Sequence, residues 1–402
     1  MTQPLKIEKL IYGGEGLSRV AGEVIFTPFV LPDETVEAER TGARKHAQRA
    51  RAVAVTEPSP DRVAPLCPYF GHCGGCQYQH ATYDAQVRLK RGILSETLRR
   101  VGKIEFAEER IETISGEPFG YRNRAQFHFE RGKLGYREMN SRKLVPIEKC
   151  PISSPKINEA ITKLTRMARD RRWPDFLHSL EIFTDERSVQ WNVLEAEKPL
   201  AKSFFEWLSE EIPGTVPGPL EYLVNRDTFT VSGPAFFQVN RFLLPRLAEL
   251  AIGDAAAETA WDLYAGVGLF SLPLARRFAH VTAVEGGRAA AADLRVNARS
   301  ARLRIDVQQR QTETFLAEAK EAPDFVLADP PRSGLEKATV TRLLELRPET
   351  IALVACDPAT LARDLLLLGA AYRIESIRMV DLFPQTFHIE TMVGLKRLDR
   401  SA

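Results

Sequence analysis

Apolar and polar positions divide the chain into three unlike stretches. Residues 1 to about 57 hold short strand-like runs such as Glu23-Val24-Ile25-Phe26-Thr27 and Val53-Ala54-Val55, punctuated by Gly13-Gly14-Glu15-Gly16, Pro28, Pro32 and Gly42. This pattern predicts a small all-β module, with Pro58-Ser59-Pro60 as a linker. Residues 84 to 101 place apolar side chains at helical spacing with a basic opposite face. Tyr121 to Phe129 then alternates like a strand, with Gly132 to Arg137 as its hairpin partner. Helix-like and strand-like patterns are mixed from 152 to about 225, including Ser179 to Thr184 and Val189 to Leu194, which predicts a mixed α/β middle domain.

From about Tyr222 strands and helices alternate, the signature of a doubly wound α/β sheet. Thr259 to Tyr264 reads as a strand, Ala265-Gly266-Val267-Gly268 as the turn after it, Leu269 to Phe278 as a helix and His280 to Val284 as the next strand. Further on, apolar runs end at Asp329-Pro330-Pro331 and at Cys356, and Thr391 to Lys396 reads as the last strand. The expected units are therefore 1–57, 58–225 and 226–402. No internal repeat or low-complexity tract interrupts them.

Composition narrows the classes without choosing among them. With 402 residues, 44% hydrophobic and 27% charged, the chain has an ordinary globular composition and enough length for several cores. No window matches a membrane span, and the opening residues lack a signal-peptide apolar segment. The expectation is a cytoplasmic protein with no membrane partner, monomeric by default. A net charge of +2 implies no nucleic acid by itself, so local distribution has to carry that inference.

Two local excesses of positive charge stand out. Arg40, Arg44, Lys45, Arg49 and Arg51 lie in the N-terminal module, where they could track phosphates or form a solvated face. Between Tyr121 and Lys149, eight basic residues face three acidic ones, an excess of five, with Tyr121, Phe127, Phe129 and Tyr136 interleaved. Cations among aromatic faces suit single-stranded RNA, although some of these rings could equally face a core.

Five cysteines are present, three of them within ten residues. Cys67, Cys73 and Cys76 form a C-x5-C-x2-C array, and Cys150-Pro151 follows far downstream. Thiolates spaced in this way can wrap one metal centre, with Gly74 and Gly75 admitting close approach of inorganic sulfide. Zinc held by four thiolates competes, but it usually draws on two short cysteine pairs, so a [4Fe-4S] cluster is favoured. With all four positions filled, its role would be structural or substrate-ordering.

The fifth thiol, Cys356, ends an apolar run just before Asp357, a fitting N-cap, and Pro358, a fitting first helical residue. A thiol beside a helix N-terminus is expected to favour the nucleophilic thiolate. A buried structural cysteine is the competing reading. Other strand ends resemble a cofactor site. Glu285, about 19 residues past Gly266, could accept both hydroxyls of an adenosine ribose. The turn lacks a third glycine for a pyrophosphate, and Asp262 lies in the strand that approaches the ligand. Together these suit a cationic, phosphate-free molecule such as S-adenosylmethionine, a cap role for Asp262 being the alternative. Asp329-Pro330-Pro331 puts a rigid acidic turn over the same edge, and the following Arg332, where amine methyltransferases usually have an aromatic residue, speaks against an amine target.

Six ordered motifs complete the picture: the cysteine array, Phe236-Phe237-Gln238-Val239-Asn240, Asp262 to Gly268, Asp329-Pro330-Pro331-Arg332, Ala355 to Thr360 and Phe383-Pro384-Gln385-Thr386-Phe387-His388-Ile389-Glu390. Over nearly the whole chain they resemble the iron-sulfur RNA uracil-5-methyltransferases. The resemblance implies a C-terminal class I, Rossmann-like methyltransferase domain, an N-terminal β-barrel of the OB or TRAM type, and an iron-sulfur middle domain that binds RNA. It implies Cys356 as nucleophile and Glu390 as general base, contacts to S-adenosylmethionine from Gln238, Tyr264, Glu285 and Asp329, and a [4Fe-4S] cluster on Cys67, Cys73, Cys76 and Cys150. The substrate it implies is 23S ribosomal RNA, with transfer RNA as the alternative. Departures from the family pattern are Asp33 after Pro32, Ala355 before the nucleophile and Gln385 where histidine is frequent. Two rivals stand beside this reading. A cytosine-5-methyltransferase would carry its cysteine in the Asp329-Pro330-Pro331 turn, which has none, and a noncatalytic iron-sulfur RNA-binding or redox-sensing protein would not need Cys356.

Overall fold

The computed structural model describes residues 2–44 and 47–399. Its largest element is an eight-stranded sheet in the spatial order Asp306–Gln308, Phe278–Val284, Ala257–Leu263, Phe325–Ala328, Thr350–Ala355, Glu390–Arg397, Tyr372–Val380 and Glu112–Ile114. The first five run parallel, and Glu390–Arg397 lies antiparallel to both neighbours. Strand order reverses beside Ala257–Leu263. The crevice at the carboxyl ends of the central strands is where such a sheet receives a ligand. The central strands are apolar on both faces, as helices cover both sides; Phe325–Ala328 is buried throughout.

Two elements from residues 58–225 belong to this sheet's surroundings. Glu112–Ile114 extends it parallel to Tyr372–Val380. Helix Tyr83–Gly102 buries Ile93, Leu94 and Leu98 against Leu361, Ala362 and Leu365 of helix Pro358–Leu368. Gly102 allows their closest approach, since a Cβ there would lie 3.0 Å from the Ala362 carbonyl oxygen. The same helix buries Lys90, whose Nζ donates to Asp381 Oδ1 at 2.7 Å and to the Phe383 carbonyl at 3.0 Å. An unpaired charge at this depth costs several kcal/mol, so the pair fixes the start of the 381–389 loop to the helix.

The N-terminal stretch folds as expected into a β-rich module. It is a six-stranded sheet in the order Thr2–Lys6, Thr35–Arg44, Ala47–Glu57, Glu23–Pro28, Glu15–Val20 and Lys9–Leu10, around Leu5, Ile7, Ile25, Val30 and Val36. Three arginines of the basic stretch are paired: Arg40 with Glu23 at 2.8 Å, Arg49 with Glu15 at 3.2 Å and Arg51 with Glu39 at 2.9 Å. These three cations are charge-balanced; Lys45 and the Arg44 side chain lie outside what the structure describes. Exposed pairs of this kind hold each other weakly.

A five-stranded antiparallel sheet, Leu144–Pro146, Lys133–Arg137, Arg124–Glu130, Leu177–Thr184 and Val189–Ala196, forms the third layer system, with helix Pro155–Met167 packed on it. This corrects the expectation that the interleaved aromatics present platforms for bases. Phe127 and Phe129 are buried in this core with Tyr136 at its edge, and Tyr121, buried outside it, donates its hydroxyl to the Pro384 carbonyl at 3.0 Å. Alternation turned the rings inward because helix Pro155–Met167 covers that face. Arg124 is also internal, donating to the carbonyls of Ala235 and Gly233 and pairing with Glu181 at 2.7 Å. The helix expected from Leu269 to Phe278 shrinks to Ser271–Leu274. Phe278 is claimed by the next strand, opposite Ala257, and the intervening residues close in tight turns.

Candidate active site

Sheet topology assembles the site at one edge. Parallel strands deliver Tyr264, Glu285, Asp329 and Cys356 just beyond their carboxyl ends. The antiparallel strand begins where they finish, and its register, Ala355 opposite Thr391, brings Glu390 beside Cys356. Glu390 is the first residue of this strand rather than part of the loop before it.

Local sequence then sets each side chain. Asp357 caps helix Pro358–Leu368 as expected, its Oδ1 accepting from Ala359 N at 2.9 Å and Thr360 N at 3.0 Å. The expected consequence for Cys356 does not follow. Burial pushes its thiol up to about 11, with the carboxylates of Glu390, Asp329 and Asp357 adding to the rise and the Arg332 guanidinium opposing it. The helix N-terminus is already occupied by the Asp357 carboxylate, so little of its positive potential reaches the sulfur. Glu390 is 4% exposed and held well above the usual carboxylate range by burial and by Asp329, against the pull of Arg332.

A second carboxyl group of residues lies next to the first. Burial raises Asp329 to about 7. Asp262, fully buried, is raised to about 7 by burial, with Asp329 and Glu285 adding to the shift and the Ser271 hydroxyl opposing it. Asp262 accepts from the Ser271 hydroxyl rather than from a helix backbone N–H, so it is not a cap, and its Oδ1 is buried without a partner. Glu285 accepts from Gly266 N at 2.8 Å and Gly287 N at 2.5 Å, one bond on each oxygen, leaving further lone pairs on both. Tyr264 takes φ +64°, an unusual value for a side-chain-bearing residue, and its hydroxyl donates to Glu313 Oε1 at 3.2 Å. Gln238 is buried, and its carbonyl accepts from Asn123 Nδ2 at 3.4 Å. An acidic crevice with an orphaned carboxylate oxygen fits a cationic ligand and repels a pyrophosphate.

Three residues at the site escaped the sequence reading or were discounted by it. Arg332 extends toward His388, whose Nε2 accepts from it at 3.4 Å, and its charge bears on both Cys356 and Glu390. His388 stacks on Phe387, ring centroids 4.4 Å apart, and burial carries it down to about 4, assisted by Arg332, Lys90 and Arg122. Its place two residues before Glu390 was the available signal. Tyr12 arrives from the N-terminal module, its hydroxyl donating to the Cys356 carbonyl at 3.2 Å. An aromatic residue beside a Gly-Gly turn was its only trace in the sequence.

The remaining four cysteines converge. Cys67, Cys73, Cys76 and Cys150 line one cavity of about 200 Å³ with Tyr69, Tyr136 and Arg122, and none is in a disulfide. Gly75 N lies 3.5 Å from Cys73 Sγ. Among the described residues no three histidine, cysteine or acidic side chains are close enough to share a single ion.

The cysteine segment also holds the loop before Glu390. Gln77 N and Tyr78 N both donate to the Gln385 carbonyl, at 2.9 and 3.0 Å, and the Gln86 and Gln385 side chains are joined through Gln86 Nε2 and Gln385 Oε1 at 3.0 Å. Beyond Phe387 a groove of about 1020 Å³ opens between the N-terminal module and the 133–146 hairpin, lined by Arg49, Arg51 and Arg137 among others.

A family model described as tRNA (Uracil-5-)-methyltransferase matches residues 222–398. An uncharacterized RNA methyltransferase of Aquifex aeolicus is 33% identical over 432 aligned positions, covering 99% of this chain and 99% of the relative. The 23S rRNA (uracil(1939)-C(5))-methyltransferase RlmD of Alkalilimnicola ehrlichii is 31% identical, covering 98% and 96%. The chain belongs to the RNA uracil-5-methyltransferase family. Among solved structures, the Pyrococcus abyssi tRNA (uracil-54, C5)-methyltransferase in complex with S-adenosyl-L-homocysteine superposes with a TM-score of 0.79 at 25% identity, over 98% of this chain and 100% of that one. As an RNA uracil-5-methyltransferase the protein uses S-adenosylmethionine and acts on RNA, and its eight-stranded unit has the class I methyltransferase fold. No described helix is long and apolar enough to cross a membrane.

Proposed function

We propose that this uracil-5-methyltransferase modifies a uridine of 23S ribosomal RNA in the cytoplasm, with Cys356 as nucleophile and Glu390 as general base. The observation that carries the reading is the meeting of Cys356 and Glu390 across the Ala355–Thr391 register, over a carboxyl-rich crevice. Carbon 5 of uracil is a weak nucleophile. Addition of the Cys356 sulfur to carbon 6 makes carbon 5 electron-rich, and S-adenosylmethionine supplies an electrophilic methyl group when bound. Asp329, Glu285, Gln238 and Tyr264 are the residues that would hold that cofactor. Arg332 stabilises negative charge on the thiolate and on the uracil oxygens during addition. Glu390 then removes the proton from carbon 5, restoring the double bond as sulfur leaves. It acts in its ionised form, which the Arg332 cation favours.

The ribosomal substrate rests on the RlmD relative, which is more similar to this chain than the transfer RNA enzyme is. Mapping 5-methyluridine by mass spectrometry in RNA from cells with and without the protein tests it. One ribosomal site should lose its methyl group. Loss confined to transfer RNA would move the assignment there, and no loss in either would defeat the reading.

The cavity of Cys67, Cys73, Cys76 and Cys150 is the proposed seat of a [4Fe-4S] cluster. Anaerobically purified protein should carry about four irons and four sulfides with broad visible absorption. Cys73→Ser should lose most of the iron and loosen the segment that holds Gln385. One zinc per chain and no sulfide would overturn this assignment.

A further inference from the structure

The N-terminal module reaches the active site. Its Ile11–Gly14 turn, closed by Gly14 N donating to the Ile11 carbonyl at 3.1 Å, leans into the site at three points. Gly13 adopts φ +106° at the third position of the turn, which projects Tyr12 away from its own sheet. Gly14 lies so close to the cysteine segment that a Cβ would come within 2.9 Å of Gln77 Cβ. The Tyr12 ring meets Phe387 edge to face, centroids 5.4 Å apart at 87°, and its hydroxyl reaches the Cys356 carbonyl at 3.2 Å. That carbonyl lies beyond the last paired residue of strand Thr350–Ala355 and before the capped helix, so the sheet ladder does not orient it.

We propose that Tyr12 is a positioning residue for the known reaction. Its hydroxyl fixes the Cys356–Asp357 peptide, and with it the direction of the Cys356 thiol. The methyltransferase unit thereby depends on docking of the N-terminal module for a correctly aimed nucleophile, not only for RNA affinity. Leu10, two residues earlier, is buried in the same core as Ala355 and Leu361, which makes that docking firm. The inference rests on the assignment of Cys356 as nucleophile.

Tyr12→Phe in the full-length protein isolates the bond, because the ring and its contact with Phe387 remain. Single-turnover formation of the covalent adduct with RNA carrying 5-fluorouridine should slow by about tenfold at saturating RNA, while KM for RNA, affinity for S-adenosylmethionine and melting temperature stay at wild-type values. Tyr12→Ala, which also removes the edge contact, should slow the step further. A wild-type rate in Tyr12→Phe overturns the proposal. So does a defect abolished by raising RNA concentration, which would make Tyr12 an RNA contact, and so does a parallel loss of cofactor affinity, which would mark general damage. If wild-type protein itself forms no adduct at Cys356, the nucleophile assignment fails and this proposal falls with it; an intact wild-type adduct with an unaffected variant overturns this proposal alone.

Discussion

Cys356→Ala should reduce methyl transfer by at least about 10⁴-fold while leaving RNA and S-adenosylmethionine binding intact. The thiol is half-buried at a strand end and takes no part in the two cap bonds of Asp357, so its removal should spare the local fold. With 5-fluorouridine RNA, wild-type protein should form an adduct that survives denaturation and maps to the Cys356 peptide, and the variant should form none. pH dependence gives an independent check. The ligand-free thiol lies at about 11, so the thiolate is a small fraction at neutral pH and grows tenfold per pH unit below that value. Alkylation of Cys356 in the free protein should therefore rise about tenfold between pH 7 and pH 8 and again to pH 9. A plateau near neutrality would show that the carboxylates around the sulfur do not govern it, and an adduct on any other residue would remove the chemical core of the proposed function.

Glu390→Gln should stop the reaction at a later stage. Glutamine has nearly the same shape and carries no charge into a site whose burial disfavours a charged carboxyl, so strand Glu390–Arg397 should form unchanged. It cannot take the proton from carbon 5. Methylated RNA should stay covalently attached to Cys356, and turnover should fall by about 10²–10⁴-fold. The expected signature is a denaturation-resistant protein–RNA band on ordinary uridine RNA, absent from wild type. Stability should move the opposite way. Because the folded carboxyl is held well above its unfolded value, the unfolded chain binds fewer protons than the folded one at neutral pH, and stability falls as pH rises through this window. Glutamine has no such dependence, so the variant should melt no lower than wild type at neutral pH and should lose less stability between pH 5 and pH 8. Rapid turnover without an accumulated adduct would assign the proton transfer to another group, with Asp329 the nearest alternative.

The contrast between these residues shows what can be seen in a linear sequence. Asp357 and Pro358 announced a helix start because capping is decided within three residues. Gly266 and Gly268 marked their turn because both adopt positive φ, at 55° and 95°. The aromatic residues of 121–136 misled because alternation shows that one face is apolar without showing what covers it. Here the cover over Phe127, Phe129 and Tyr136 is helix Pro155–Met167, and those rings are core. The acidity of Cys356 misled for a related reason. The helix terminus is local, whereas the burial that raises the thiol, and the Glu390 and Asp329 carboxyls that add to the rise, come from strands far apart in sequence.

By itself, the sequence determined the β-rich start, the doubly wound sheet with its strand-end residues, the four spaced thiols and Cys356 before its cap, because each is written in periodicity or in neighbours a few positions apart. Only the tertiary structure decided that Glu390 faces Cys356, that Arg332 and His388 stand over them, and that Tyr12 crosses from another sheet to the nucleophile's carbonyl. Those contacts depend on antiparallel register and on packing between separate layers, and the electrostatic balance at the sulfur is the sum of charges that meet only once the chain has folded.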